Sequence, residues 1–195
     1  VTYISQKAAD NFVPHLTLRE HAADAPGPAG ELLISVGLGH RIDSRPGELS
    51  GGEQARAAFA LGIARETSLV VLDEPTAELD RGSVPALLET ISGHAGAGRA
   101  FVIATHDPDV TAIAHRVLRL DRGVVVAGDD GVAGSDPPAR RTRAAAATVL
   151  EANGVSKAFR RAGETLHAVD CASIDVRRGE VGVLVGRSGS GKSTL

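Results

Sequence analysis

The chain has 195 residues, 43% of them hydrophobic, and a formal net charge of −3, which allows a buried core in one domain or in two incomplete ones. So small a charge excludes a broad electrostatic attraction to nucleic acid or anionic lipid as its main business. The single cysteine, Cys171, cannot form an intramolecular disulfide, no stretch reaches the roughly 18 to 20 consecutive apolar residues that span a bilayer, and no leader pattern opens the sequence. A cytosol-facing chain is expected, with any membrane span supplied by other segments or subunits. The chain contains no Met, begins at Val1 and ends just after Gly-Lys-Ser-Thr-Leu, where a helix should be starting, so both ends are expected to be cuts in a longer protein.

In chain order, residues 1–6 (Val-Thr-Tyr-Ile-Ser-Gln) predict a short strand ending at Gln6. Two short helices are expected within residues 16–39, separated by a Pro/Gly/Ala break at 25–30. Ser50 caps an amphipathic helix over 51–66. Residues 69–72 form a continuous apolar run, the pattern of a strand buried on both faces of a parallel sheet, with Asp73-Glu74-Pro75 at its carboxyl end. A helix over about 83–93 and a buried strand over 99–105 ending at His106 complete a strand–helix–strand unit, whose right-handed crossover places ligands at the carboxyl ends of the strands. Two closing strands are expected at 115–120 and 123–126. Residues 127–147, rich in Gly, Asp, Pro, Arg and Ala, read as a linker. Beyond it, 148–160 and 165–177 alternate as strands, and 180–185 is a buried strand running into Gly186.

The strongest chemical signal is Gly186-Arg187-Ser188-Gly189-Ser190-Gly191-Lys192-Ser193, which fits the G-x-x-x-x-G-K-[ST] phosphate loop and follows a predicted strand. Its glycines let backbone N–H groups turn toward an anion, Lys192 reaches the β and γ phosphates, Ser193 ligates Mg²⁺, and Thr194 adds a hydroxyl near the α-phosphate. Asp73 and Glu74 supply the two carboxylates that phosphoryl transfer needs. Asp73 holds Mg²⁺ through water and Glu74 polarises the attacking water; taken alone, the same Asp-Glu-Pro is equally a turn onset. Leu49-Ser50-Gly51-Gly52-Glu53-Gln54 joins a hydroxyl and glycine N–H groups at a helix start, an anion site suited to a γ-phosphate or simply an N-cap.

That last motif resembles the signature of ATP-binding cassette (ABC) proteins, and the resemblance covers nearly all of the chain outside the linker. It implies an α/β P-loop NTPase fold: a RecA-like parallel sheet with a helical subdomain and an antiparallel β subdomain. Gln6 resembles the glutamine that senses Mg²⁺ and the water and couples to the membrane partner, and His106 the switch histidine. Ala77-Glu78-Leu79-Asp80 is similar to the loop that crosses the cassette dimer interface, with Glu78 where small residues are common. Phe159 sits where an aromatic ring stacks on adenine; singly, His106 and Phe159 also suit structural roles. Asp-Glu-Pro-Thr, Thr-His-Asp-Pro and His-Arg-Val-Leu-Arg-Leu look most like cassettes of the lipoprotein-release and macrolide-export type. The resemblance thus implies ATP hydrolysis with Mg²⁺ by a peripheral subunit at the cytoplasmic face of a membrane, partnered by transmembrane permease subunits and a second cassette, with no nucleic acid.

One feature departs from the family: its phosphate loop comes first, whereas here it comes last. The expected organisation is the back of one cassette at 1–126, the linker at 127–147 and the front of the next at 148–195. In that tandem arrangement Lys192 and Ser50 face the same ATP, while Gln6, Asp73, Glu74 and His106 serve a site whose phosphate loop lies outside the chain. The alternative is a circularly permuted cassette in which the Gly186 loop docks into the sheet of the first segment. A soluble non-transport tandem ATPase and a fragment inactive by itself are the competing functions. The first is disfavoured by the short linker and by the lack of sustained heptads between Gln6 and Ser50.

Overall fold

The computed structural model describes residues 1–126, 146–161, 164–187 and 189–195. Residues 127–145 of the expected linker and Ser188 of the expected phosphate loop lie outside the described residues. The chain divides into two compact units, Val1–Ile91 and Ser92–Leu195.

In the first unit, β1 (Thr2–Ile4) pairs in parallel with β2 (Leu69–Asp73), Thr2 opposite Val70 and Ile4 opposite Leu72. Thr2 and Ile4 point inward and Tyr3 outward, the period of a pleated strand. Parallel partners need a long crossover, and here it holds α1 (Leu18–Ala23), α2 (Ala29–Ser35) and α3 (Gly51–Ala64). Thr17 and Glu20 form a reciprocal capping box that opens α1. The expected break between the two short helices is present, but α2 begins inside it, at Ala29 just after Pro28. The expectation of an amphipathic α3 fails in its second half, where Ala57–Ala64 are all buried. The reason is side-chain size, since Ala and Gly let other elements approach the helix from several directions. A β-carbon on Gly62 would run into the side chain of Ile4, so β1 rests directly on the helix backbone.

The helix α4 (Val84–Gly96) runs across the division between the units. In the second unit, β3 (Ala100–Ala104) and β4 (Arg116–Asp121) both pair in parallel with β8 (Val181–Val185), which lies between them. Phe101 is opposite Val181, and Val117 is opposite Val183. All five residues of β3 and the first four of β8 are buried, the continuous apolar pattern of central parallel strands. β5 (Val124–Val126) folds back antiparallel to β4. A short helix not anticipated from the sequence, α5 (Pro108–Ala112), follows β3. Its signals were present, with Pro108 in the first turn and the Asp107 carboxylate accepting from Asp109 N–H at 2.9 Å.

The remaining strands, β6 (Thr148–Arg161) and β7 (Glu164–Arg177), form an antiparallel pair. Arg116 fastens it to the parallel sheet: Nη1 donates to Asp175 Oδ1 of β7 at 2.9 Å. Its Nε lies 3.1 Å from Glu180 Oε1, within ion-pair range but without the alignment of a hydrogen bond. The Arg116 bond is the main reason the Asp175 carboxyl is held below its ordinary value.

Phe101 is wholly buried in β3, against β8. Phe101→Ala is expected to cost about 3–5 kcal/mol, the range for truncating a buried aromatic, measured as a lowered midpoint in urea unfolding followed by circular dichroism.

Candidate nucleotide-binding site

Parallel pairing sets which chemical groups share an edge. Ile4 stands opposite Leu72, so Gln6 and Glu74 each emerge two residues past a paired position at the carboxyl ends of β1 and β2. The second unit repeats the offset: Ala104 stands opposite Leu184, and Thr105 N–H donates to Leu184 O at 3.0 Å. His106 and Gly186 therefore leave the carboxyl ends of β3 and β8 together.

At the end of β2, Asp73 is 6% exposed, and its Oδ1 has no hydrogen-bond partner among the described residues. A buried carboxylate oxygen without a donor is costly unless something else meets it. An oxygen-seeking cation, reached directly or through water, fits that need. The neighbouring Tyr3 hydroxyl is raised above its ordinary value, first by burial and then by the negative charge of Asp73. Glu74 has φ of 45°, the left-handed region that non-glycine residues rarely occupy. Such strain persists where the surroundings fix the conformation, which is common at functional sites. Two successive turns lead away from it, Ala77 N–H to Glu74 O and Leu79 N–H to Thr76 O, both 3.1 Å.

The start of α3 belongs to the same unit. Ser50 Oγ accepts from Glu53 N–H at 3.3 Å, while Glu53 Oε2 accepts from Ser50 N–H at 2.8 Å and from its hydroxyl at 2.9 Å. Arg41 Nε adds a bond to Glu53 Oε1 at 3.1 Å. The Ser50 N–H bond and then the Arg41 bond lower the Glu53 carboxyl to about 2. Ser50 is thus an N-cap in full, and Gly51 and Gly52 form the first turn behind it. Gln6 is exposed just beyond β1, followed by a turn in which Asn11 Oδ1 accepts from Ser5 N–H at 2.9 Å.

In the second unit the loop after β8 is tightly folded. Gly189 and Gly191 have φ of 77° and 102°, and a β-carbon on Gly191 would run into the carbonyl of Ala168. Only glycine satisfies both demands. Ser190 N–H donates to Arg187 O, and Thr194 and Leu195 N–H both donate to Gly191 O, each at 3.0 Å; this is one turn of the expected helix. Ser190 Oγ is buried without a hydrogen-bond partner among the described residues. Lys192 Nζ donates to Gly186 O at 2.8 Å and to Arg187 O at 3.4 Å, curling over the loop it follows. Ser193 is exposed and Thr194 half-buried. Gly123, in the β4–β5 turn, donates to Ser190 O at 2.9 Å and accepts from Asp170 N–H of β7 at 2.8 Å, tying the loop to the antiparallel pair. Phe159 on β6 is 48% exposed, and Lys157 Nζ lies 5.5 Å from its ring centroid, leaving ring surface open to a flat ligand.

Gln6, Asp73, Glu74 and Ser50–Glu53 thus lie in one unit, and His106, Phe159, Gly186 and Gly189–Thr194 in the other. The sequence reading passed over Tyr3, Arg41 and Gly123. Tyr3 was visible as the outward residue of a strand ending beside Asp73, and Gly123 as the glycine of an Asp-Arg-Gly turn. Arg41 left no local signal, because its partner Glu53 lies beyond an intervening loop.

A family model described as "ABC transporter" matches residues 1–77. Among curated relatives, the lipoprotein-releasing system ATP-binding protein LolD of Chromohalobacter salexigens is 41% identical over 118 residues, 60% of this chain and 50% of LolD. The macrolide export ATP-binding/permease protein MacB of Hyphomonas neptunium is 36% identical over 151 residues, 74% of this chain and 22% of MacB. The chain spans about half the length of the LolD relatives it matches. Two solved structures of the cassette MJ0796 resemble it at a TM-score of 0.51 and 25% identity. One is a dimer of this bacterial ABC transporter cassette, covering 58% of this chain and 55% of its own. The other is a post-hydrolysis dimer bound to ADP and Pi, covering 57% and 54%. The α/β fold with a mostly parallel sheet is the P-loop NTPase fold of ABC cassettes.

Because the Glu53 carboxyl is depressed, its bonds to Ser50 and Arg41 stabilise the folded chain above the ordinary value of 4.5, and that contribution is lost as pH falls toward about 2. Urea midpoints measured down this range should fall further for the native chain than for Glu53→Gln.

Proposed function

We propose that the chain is the nucleotide-handling part of an ABC transporter ATPase, which binds ATP and Mg²⁺ and hydrolyses ATP to drive movement of a membrane partner. The observation that carries the reading is the folded Gly186–Thr194 loop behind a central parallel strand, in a chain that also ends another parallel strand on Asp73 and Glu74.

In this reading Gly186, Ser188, Gly189, Ser190 and Gly191 present backbone N–H groups to the phosphates. Lys192 exchanges its two loop carbonyls for phosphate oxygens, and Thr194 and Phe159 hold the α-phosphate side and the base. Ser193 in the second unit, and Asp73 and Gln6 in the first, are each suited to Mg²⁺, which would neutralise phosphate charge where it is bound. Glu74, fixed in its left-handed conformation, orients and polarises the attacking water, with His106 at the γ-phosphate and Gln6 reporting to the membrane partner. Ser50, Gly51, Gly52 and Glu53 form the anion site that closes over a nucleotide. Among the described residues no helix is long and apolar enough to cross a membrane; in this reading the chain works at the cytoplasmic face of a membrane with permease subunits and a second cassette. The identity to LolD and MacB supports an export system.

The order of segments admits the tandem reading, with 1–126 and 148–195 drawn from successive cassettes. A specific observation favours the second reading, a permuted cassette: β8 lies between β3 and β4. Robust Mg²⁺-dependent turnover by the 195-residue chain alone would support permutation, and failure to hydrolyse ATP would support the tandem arrangement.

In the full-length protein, Glu74→Gln is expected to slow steady-state ATP hydrolysis by about 10²–10⁴-fold, while equilibrium binding of ATP stays within a few-fold of the native value. Lys192→Ala is expected to remove ATP binding at its site. Hydrolysis that survives Glu74→Gln unchanged would sink the assignment of the base.

A further inference from the structure

We propose that Arg56 is a positioning residue that holds the segment following Glu74 against the start of α3 through Asp80 and Ser83; the proposal rests on the reading of Glu74 as the group that activates water. Gly52 and Arg56 are four residues apart on α3 and so share a face. That face meets residues 78–83. A β-carbon on Gly52 would lie 3.2 Å from Glu78 O and 3.7 Å from Arg56 Nη1, and one on Gly51 would lie 3.5 Å from Glu78 Oε2. The helix start that carries Ser50 is therefore in direct contact with the segment that leaves Glu74.

The polar tie sits beside this contact. Arg56 Nη1 donates to Ser83 Oγ at 3.4 Å and lies 3.6 Å from Asp80 Oδ2. Asp80 is itself fixed by Ser83 Oγ at 2.7 Å, Gly82 N–H at 2.9 Å and Ser83 N–H at 3.0 Å. The Ser83 hydroxyl bond is the main reason its carboxyl stays below its ordinary value and ionised. Arg56, Asp80 and Ser83 also line a cavity of about 340 Å³, together with Phe59 and Leu79 among others. The segment thus meets α3 through the close approach of Glu78 to Gly51 and Gly52 and through the polar tie beside it.

Exposure decides which effect dominates. The Arg56 and Asp80 side chains are 25% and 65% exposed, so the pair is screened and adds little to stability. Its geometric effect is not diluted in that way, because the two tight turns between Glu74 and Leu79 carry a displacement at Asp80 back to Glu74. An anion taken up at Ser50–Gly52 and the carboxylate at Glu74 are thereby mechanically joined within one unit.

The test uses the full-length protein, with kcat and KM for ATP hydrolysis and thermal midpoints measured for Arg56→Gln, Asp80→Asn, the double variant and Arg56→Lys. The expected result is a fall in kcat of about tenfold in each neutral single variant, within the range for residues that act through others, with KM within about twofold. The double variant should be no worse than the more severe single, and Arg56→Lys should recover much of the loss. Unchanged kcat in a folded Arg56→Gln protein, a rise in KM alone, or effects that multiply in the double variant would overturn the proposal. Should Arg56→Gln fail to fold, Ser83→Ala removes the same tie from the other side. A fall in kcat supports the proposal and an unchanged kcat overturns it. Glu74→Gln separates the two levels. If it abolishes turnover while Arg56→Gln does not, only the tie is wrong; if it leaves turnover intact, the Glu74 reading falls and the tie with it.

Discussion

A strand in the middle of a parallel sheet needs a partner on each edge, and β8 meets that requirement by lying between β3 and β4. Its four buried residues, Val181–Leu184, have no other place to lose water. Once the strand is seated, the chain that leaves it at Gly186 has its direction chosen, and the glycine-rich loop follows. The same register brings His106 out of β3 at the matching level. In the first unit the parallel register of β1 and β2 does the same for Gln6 and Glu74, which are delivered by backbone pairing before any side-chain chemistry is involved.

Around β8 the contacts are of unequal kinds. Apolar burial supplies most of the free energy, whereas the Arg116 link to Asp175 and the Gly123 bridge between Ser190 and Asp170 chiefly fix positions. Arg116 has Nη2 buried without a hydrogen-bond partner among the described residues, so the link is an imperfect source of stability. Its value lies in setting where the antiparallel pair, with Phe159 on it, stands relative to the loop that begins at Gly186.

The sequence made the elements legible because each rests on local patterning. The apolar runs at 69–72, 99–105 and 180–185 hold strands, and Ser50 caps α3 through a motif four residues long. What the pattern could not reveal was pairing: nothing in Val181–Val185 names β3 and β4 as its neighbours, since parallel register is fixed by burial across the whole sheet. Long-range polar contacts were hidden for a similar reason. Arg41 meets Glu53, and Arg56 meets Asp80 and Ser83, across intervening structure. The burial of Ala57–Ala64 on every side was also missed, because small residues give no amphipathic contrast to read. The residues proposed for chemistry were found almost entirely by motif, since glycine, lysine and carboxylate roles follow from local spacing.

The Lys192 ammonium, resting on the carbonyls of Gly186 and Arg187, bears on the thermodynamics of the loop. A loop that closes on its own cation is a self-templated cavity: much of its ordering entropy is lost during folding rather than on encounter with a ligand. Under the proposed function, uptake of a phosphate is then an exchange of partners for one lysine, and the affinity measures the difference between two sets of hydrogen bonds. Such a site gains selectivity from what it must give up, because a weakly charged visitor offers the ammonium less than its own backbone already does.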